Sequence, residues 1–276
     1  MMDMKLILFS AIVLSAQDAP LAVDRGLPAA NWNNGSGVTA RSNVRWTLYS
    51  QGFVGDDFTI GQRGEKWTID TVRVWAVPGA HGVEPATLGD VYQDIRLYIG
   101  SGEENLTPVS TGRLLRGSNE VDGANIVIRE AAPSYEDFGA QFKIYEIEFR
   151  NLNLTVDGGE RQRFGAWGLG RASGEKAEVY PWFTHGSNAA QSAVRADGAD
   201  GKLLLFEAAG RYAKEYTAGG AAWNKDSDLN VQVLAVRNVD AGAAEINPAS
   251  LQAAKSGGCV AARTWKGEPV RSCAGR

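Results

Sequence analysis

The chain has 276 residues, of which 22% are charged and 44% hydrophobic, an ordinary balance for a globular protein. A net charge of −4 and a sequence pI of about 5.4 exclude the basic stripe that nucleic acid requires and argue against a polyanionic partner. The 33 glycines fall mostly between strand-like runs, which suits an all-β fold with many turns.

Lys5, the apolar run 6–14 and the small residues Ser15 and Ala16 predict a secretory signal peptide over 1–16. The run is far shorter than the ~20 residues of a membrane-spanning helix; a buried strand or an N-terminal anchor is the alternative. No later segment reads as a membrane-spanning helix. The mature chain is therefore expected to be secreted or held at the cell surface, with the periplasm also open. Residues 17–40, with Pro20, Pro28 and Asn31-Trp32-Asn33-Asn34-Gly35, read as an irregular lead-in.

Alternation begins near Asn43. Val44, Trp46 and Leu48 share one face. Phe53 to Ile60 form a second run around Asp56-Asp57. In 67–76 the apolar parity shifts between Ile69 and Val72, which predicts a β-bulge. Ile95, Leu97 and Ile99 line one strand; Ile126 and Ile128, then Tyr145, Ile147 and Phe149, then Phe164, Ala166 and Gly168 mark others. Residues 179–184, 202–206 and 229–235 complete a series of roughly ten strands, the signature of a sandwich or barrel. The domain is placed at 41–237.

Beyond Asn238 the composition turns to alanine, glycine and basic residues, and 238–276 reads as a short irregular tail. Residues 248–255 could form a short helix capped by Asn247. Both cysteines, Cys259 and Cys273, lie in this tail, and in an oxidising compartment they are expected to pair. A thiol metal site is the rival reading, disfavoured by the lack of a nearby histidine.

Five segments carry a resemblance. Arg41-Ser42-Asn43-Val44, then Phe53-Val54-Gly55-Asp56-Asp57-Phe58-Thr59-Ile60 and Trp67-Thr68-Ile69-Asp70-Thr71-Val72-Arg73-Val74-Trp75, look like the opening of secreted bacterial β-sandwich modules. Tyr180-Pro181-Trp182-Phe183-Thr184-His185-Gly186-Ser187-Asn188, followed by Ala199-Asp200-Gly201, is similar to a later stretch of them. These modules occur in exported proteins of the PEP-CTERM type and resemble jelly-roll carbohydrate-binding domains. The resemblance spans about 41–235 and implies that fold. The sequence departs from it at Arg271-Ser272-Cys273-Ala274-Gly275-Arg276, where an apolar sorting helix would stand.

Candidate chemistry is sparse. Only His81 and His185 exist, and neither sits in a zinc spacing. His81 reads as a turn residue. His185 ends a strand beside a loop; no Gly-x-Ser-x-Gly elbow accompanies it, so loop bracing competes with ligand contact. Glu146 and Glu148 alternate with apolar residues and share a sheet face. Retaining glycosidases hold two carboxyls about 5–5.5 Å apart, and the segment is similar to half of a glucanase Glu-x-Asp-x-x-Glu strand. Arg150 and Asn151 stand where a further acid is wanted, and the plain alternative is the polar face of a half-buried strand.

Flat aromatic rings stack on sugar faces while amides and carboxylates bind hydroxyls. Trp182, Tyr180 and Trp46, with His185, Asn188 and Asp200, are the candidate ligand-binding residues; Trp67, Trp75 and Trp167 are assigned to core packing. Asp56, Asp57, Asp226 and Asp228 are candidate oxygen ligands for a structural calcium; no other cofactor is expected. The sequence thus predicts an antiparallel β-sandwich of jelly-roll type, exported and binding polysaccharide or cell-surface glycan. The alternatives are a glycoside hydrolase using Glu146 and Glu148, and a surface assembly or adhesion subunit.

Overall fold

The computed structural model describes residues 19–26, 44–46, 52–78, 87–102, 105–123, 125–137, 140–170, 182–186, 195–207, 210–216, 228–238, 260–263 and 269–272. The chain divides into two compact units, Met1–Arg237 and Asn238–Arg276.

The first unit is an antiparallel β-sandwich. One sheet is built on β4 (Lys66–Pro78), which lies between β15 (Val231–Asn238) and β12 (Trp182–His185). β1 (Leu21–Arg25) flanks β15, and β2 (Val44–Trp46) flanks β12. β9 (Ala140–Phe149) and β10 (Leu154–Asp157) also pair with β4, and β8 (Ile126–Asp137) pairs with β9. The second sheet runs from β14 (Tyr212–Tyr216) through β13 (Leu203–Glu207), β3 (Gly52–Thr59), β11 (Arg161–Gly170) and β5 (Tyr92–Ser101). It ends on β6 (Pro108–Leu114) and β7 (Val121–Asp122). A single four-residue helix, α1 (Leu88–Val91), interrupts the strands among the described residues.

Period-two burial builds the core. Ile95, Leu97 and Ile99 of β5 pair with Gly168, Ala166 and Phe164 of β11, and all are buried. In the other sheet Tyr145, Ile147 and Phe149 pair with Ala76, Val74 and Val72, again buried. Each large apolar side chain so covered contributes roughly 1.5–3 kcal/mol. Gly168 sets how the sheets meet: a Cβ there would run into the Trp182 ring of the opposite sheet. Even-numbered residues of β11 therefore face the interior, and odd-numbered ones face away.

The parity shift between Ile69 and Val72 falls where β4 changes partner. Lys66 to Ile69 pair with β10, and Val72 to Ala76 pair with β9. Between them Leu152 N–H donates to the Asp70 carbonyl at 2.9 Å, while Asn151 and Asn153 adopt φ of 53° and 49°. Asparagine is among the few residues that tolerate that left-handed region.

Three expectations are corrected. The lead-in is not wholly irregular, because Leu21–Arg25 is a strand with Val23 and Arg25 turned inward. The tail contains a hairpin, β16 (Val260–Arg263) paired with β17 (Pro269–Ser272). The sandwich has fifteen described strands rather than ten, the short β6, β7, β10 and β14 being among the additions. The predicted leader, His81 and the candidate helix at 248–255 lie outside the described residues.

Candidate functional site

The densest polar constellation is buried between the sheets, and its hub is Arg25. The alternation of β1 sends this guanidinium inward, where it is 1% exposed. Its Nη1 lies 3.4 Å from Asp56 Oδ2 and 3.7 Å from Asp228 Oδ1, and its Nη2 donates to the Asp197 carbonyl at 2.9 Å. Asp56 also accepts from the Leu229 N–H at 2.6 Å and the Asp57 N–H at 2.7 Å. Asp228 accepts from the backbone N–H groups of Asp200 and Gly201. Burial pushes the Asp56 carboxyl well above the ordinary carboxylate range despite the neighbouring Arg25, and it pushes Asp228 up as well.

His185 joins this network. Its Nδ1 faces two acceptors, Asn230 Oδ1 at 2.7 Å and the Gly186 carbonyl at 3.0 Å, so Nδ1 carries a proton. Asn230 Nδ2 in turn donates to the carbonyls of Arg25 and Gly26. Of the residues singled out in the sequence, Asp56 and Asp228 thus meet at Arg25, which was overlooked, while His185 is linked through Asn230 and Asp200 through its backbone N–H. Arg25 escaped notice because a charge at an inward position breaks the apolar alternation that marks a strand.

Three of the four candidate calcium ligands are committed to arginines. A calcium ion needs six to eight oxygens around one point. Here Asp56 and Asp228 turn to a guanidinium that already supplies the positive charge between them. Asp57 turns instead to Arg161 on the other face of the sheet, with Nε to Oδ2 at 2.6 Å. Asp226 lies outside the described residues. Among those described, no group of three or more metal-ligating side chains converges.

Two members of the proposed sugar platform are buried. Trp182 is 1% exposed and packs edge-on against Tyr92 at 5.2 Å, so its ring is core and cannot stack on a sugar. His185 is fully buried. Asp200 is half-buried and caps its own turn, accepting from the Lys202 N–H at 3.0 Å. Tyr180, Asn188 and the side chain of Trp46 lie outside the described residues. Trp75 and Trp167 are buried and Trp67 packs against the core, as their assignment required.

Glu146 and Glu148 do share the sheet face opposite Tyr145, Ile147 and Phe149. Glu148 is 2% exposed and clamped by Arg73 and Arg150. Glu146 pairs with Arg129 at 3.2 Å. Burial pushes Glu148 up, but the hydrogen bonds from its two arginines outweigh that and hold it below the ordinary glutamate range. Both carboxylates are thus engaged by arginines among the described residues.

An aromatic row that the sequence reading missed lies on the outer face of the seven-stranded sheet, buried except at its Tyr212 end. Phe53 stacks on Tyr98 at 4.7 Å, on Phe206 at 5.1 Å and on Trp167 at 5.8 Å. Gly165 makes room for this, since a Cβ there would strike the Phe53 ring. The row ends at Tyr212, which is half-buried and meets Phe206 edge-on at 6.0 Å. Arg163 lies beneath it, its guanidinium carbon 4.3 Å from the Tyr212 ring centre. Beside them runs a charge ladder, from Asp57 to Arg161, to Glu215 at 3.4 Å, to Lys202 at 2.9 Å. The signal in the sequence was Arg211-Tyr212-Ala213-Lys214-Glu215-Tyr216, an alternating run with both aromatics on one parity. In comparisons with known proteins, no family model, no curated protein and no solved structure matches this chain, so the reading of its site rests on its own geometry.

Proposed function

We propose that this protein is an exported, non-enzymatic β-sandwich that binds polysaccharide or cell-surface glycan through the outer face of its seven-stranded sheet. The observation that carries this reading is the half-buried Tyr212 ring at the end of a buried aromatic row, bordered by the charged side chains of Arg161, Glu215 and Lys202. An apolar ring beside a few directional polar groups is what a sugar surface requires. The resemblance of 53–60 and 67–75 to secreted sandwich modules supports the same reading. So does the crossing connectivity: β3, β4 and β5 alternate between the sheets, as do β11, β12 and β13, in the manner of Greek-key and jelly-roll sandwiches. The apolar leader supports export. Engagement of Glu148 by two arginines favours binding over hydrolysis.

The test is retention of the mature chain on a panel of insoluble and soluble polysaccharides, with Tyr212→Ala alongside. Binding is expected, and loss of the ring weakens it by about five- to tenfold. Retention on no polysaccharide, or retention indifferent to Tyr212→Ala, removes the proposal.

A further inference from the structure

The border of the Tyr212 ring is charged, yet among the described residues each exposed cation beside it already holds a carboxylate. Arg161 is shared between Asp57 and Glu215, Lys202 lies 2.9 Å from Glu215, and Arg211 pairs with Glu207. The groups nearest the ring are accessible, with side-chain exposures of 42% for Arg161, 34% for Glu215 and 46% for Lys202. Arg163, under the ring, is covered and out of a ligand's reach. Asp200, whose field acts on Arg161 and Lys202, offsets its charge. The hydrogen bond between Lys202 and Glu215 raises the lysine pKa and lowers that of the glutamate, so the pair stays ionised across the range between them.

A charged ligand would gain a partner here only by displacing another. A hydroxyl faces no such exchange, because it both donates and accepts, and an ion pair sets donor and acceptor side by side. Glu215 accepts from Lys202 on one oxygen and from Arg161 on the other, and a carboxylate has further lone pairs to offer. The Lys202 ammonium has three N–H donors, of which the Glu215 bond takes one.

We infer that the glycan taken by this face is neutral, its hydroxyls met by the Arg161–Glu215–Lys202 ladder and its C–H face by the open part of Tyr212. The inference rests on the glycan reading above and narrows the substrate class to uncharged polysaccharide of gluco or xylo configuration. A pyranose whose hydroxyls are all equatorial keeps both faces apolar and sends its hydroxyls outward in the ring plane, towards groups that border an aromatic ring. An axial hydroxyl would set an oxygen against the phenol ring instead. Binding of this kind uses no unpaired charge, so salt has little to screen.

Calorimetric titration of the full mature chain with cellohexaose, xylohexaose, mannohexaose, hexagalacturonate and glucosamine hexamer tests it. Cellohexaose or xylohexaose is expected to bind, with an affinity that moves less than about twofold between roughly 50 and 500 mM salt. Glu215→Ala and Lys202→Ala should each weaken it about fivefold, with Arg129→Gln on the opposite sheet as an unaffected control. If either alanine variant does not fold, Glu215→Gln serves, since it keeps the shape and loses the ion pair; it too should weaken binding. Hexagalacturonate or glucosamine hexamer bound instead, with steep salt dependence, overturns the neutral class and leaves the glycan reading standing. Mannohexaose bound as tightly as cellohexaose overturns the equatorial assignment. Neutral binding that needs Tyr212 but ignores Glu215 and Lys202 removes the ladder from the site and overturns the inference. No hexaose bound overturns it as well, and retention on the polysaccharide panel then decides the glycan reading by itself.

Discussion

Asp56 and Glu148 are both buried carboxylates beside arginines, yet their pKa values move in opposite directions. Asp56 shares one guanidinium, Arg25, with Asp228, and burial dominates. Glu148 has two guanidiniums, Arg73 and Arg150, each reaching solvent, and their hydrogen bonds dominate. The consequences for stability carry opposite signs. Glu148, with its folded pKa depressed, contributes stability above the unfolded value of about 4.3 and loses it as pH falls through the folded pKa. Asp56, with its folded pKa raised, gives stability that is fully present below the unfolded value of about 3.9 and declines as pH rises through the folded pKa. Urea midpoints across pH separate the two. Glu148→Gln should cost about 1–3 kcal/mol at neutral pH, discounted because both arginines are part-exposed, and should flatten the acid limb. Asp56→Asn should remove part of the decline towards neutral pH. Parallel profiles for wild type and either variant would show that the assignment is wrong.

At the scale of elements, β11 organises both faces of its sheet through two glycines. Gly168 receives Trp182 from the opposite sheet, and Gly165 receives Phe53 on the outer face. Each Gly→Ala change inserts a methyl group into a ring, and overpacking of this kind costs about 1–3 kcal/mol. Because the two rings lie on opposite faces and share no contact, the double variant should lose the sum to within about 0.5 kcal/mol. Denaturant midpoints with an unchanged m-value would bear this out; a cost-free Gly168→Ala would mean Trp182 does not sit there. The same pair explains what the sequence could and could not reveal. Ile95, Leu97 and Ile99, or Tyr145, Ile147 and Phe149, announce their burial by local alternation. Trp182 looked like a surface ring because it stands at a strand end, and what buries it is a missing Cβ in another sheet. Arg73 lies in a strand far from Glu148 in sequence, so the clamp on Glu148 is equally invisible to a local pattern. Arg25 was hidden because its charge sits where an apolar residue would mark a strand.

At the scale of the whole chain, the cysteines divide the two units by chemistry. The unit Met1–Arg237 contains none, so its sandwich is held by the core and by buried ion pairs alone. The unit Asn238–Arg276 is of a size that seldom holds a fold without a staple, the threshold being about 40 residues. Its hairpin pairs Val260 with Ser272. The next residues outward on the two sides are Cys259 and Cys273, which lie outside the described residues. Residues opposed in an antiparallel ladder have Cα atoms about 4.5–5.5 Å apart, inside the usual disulfide range of about 4.4–6.8 Å. A ladder continued by one pair would therefore bring the thiols together, closing a short loop and stabilising it by about 3 kcal/mol in the chain-entropy model. The non-reduced, denatured protein should show no free thiol to a thiol-specific reagent. Because both cysteines fall within the second unit, Cys259→Ser with Cys273→Ser should make that unit susceptible to protease while leaving the unfolding midpoint of the sandwich in place. Two titratable thiols in protein isolated without reductant would rule the pairing out. A midpoint that falls with the double serine change would instead show that the sandwich draws stability from the hairpin, contrary to the independence argued from its cysteine-free core.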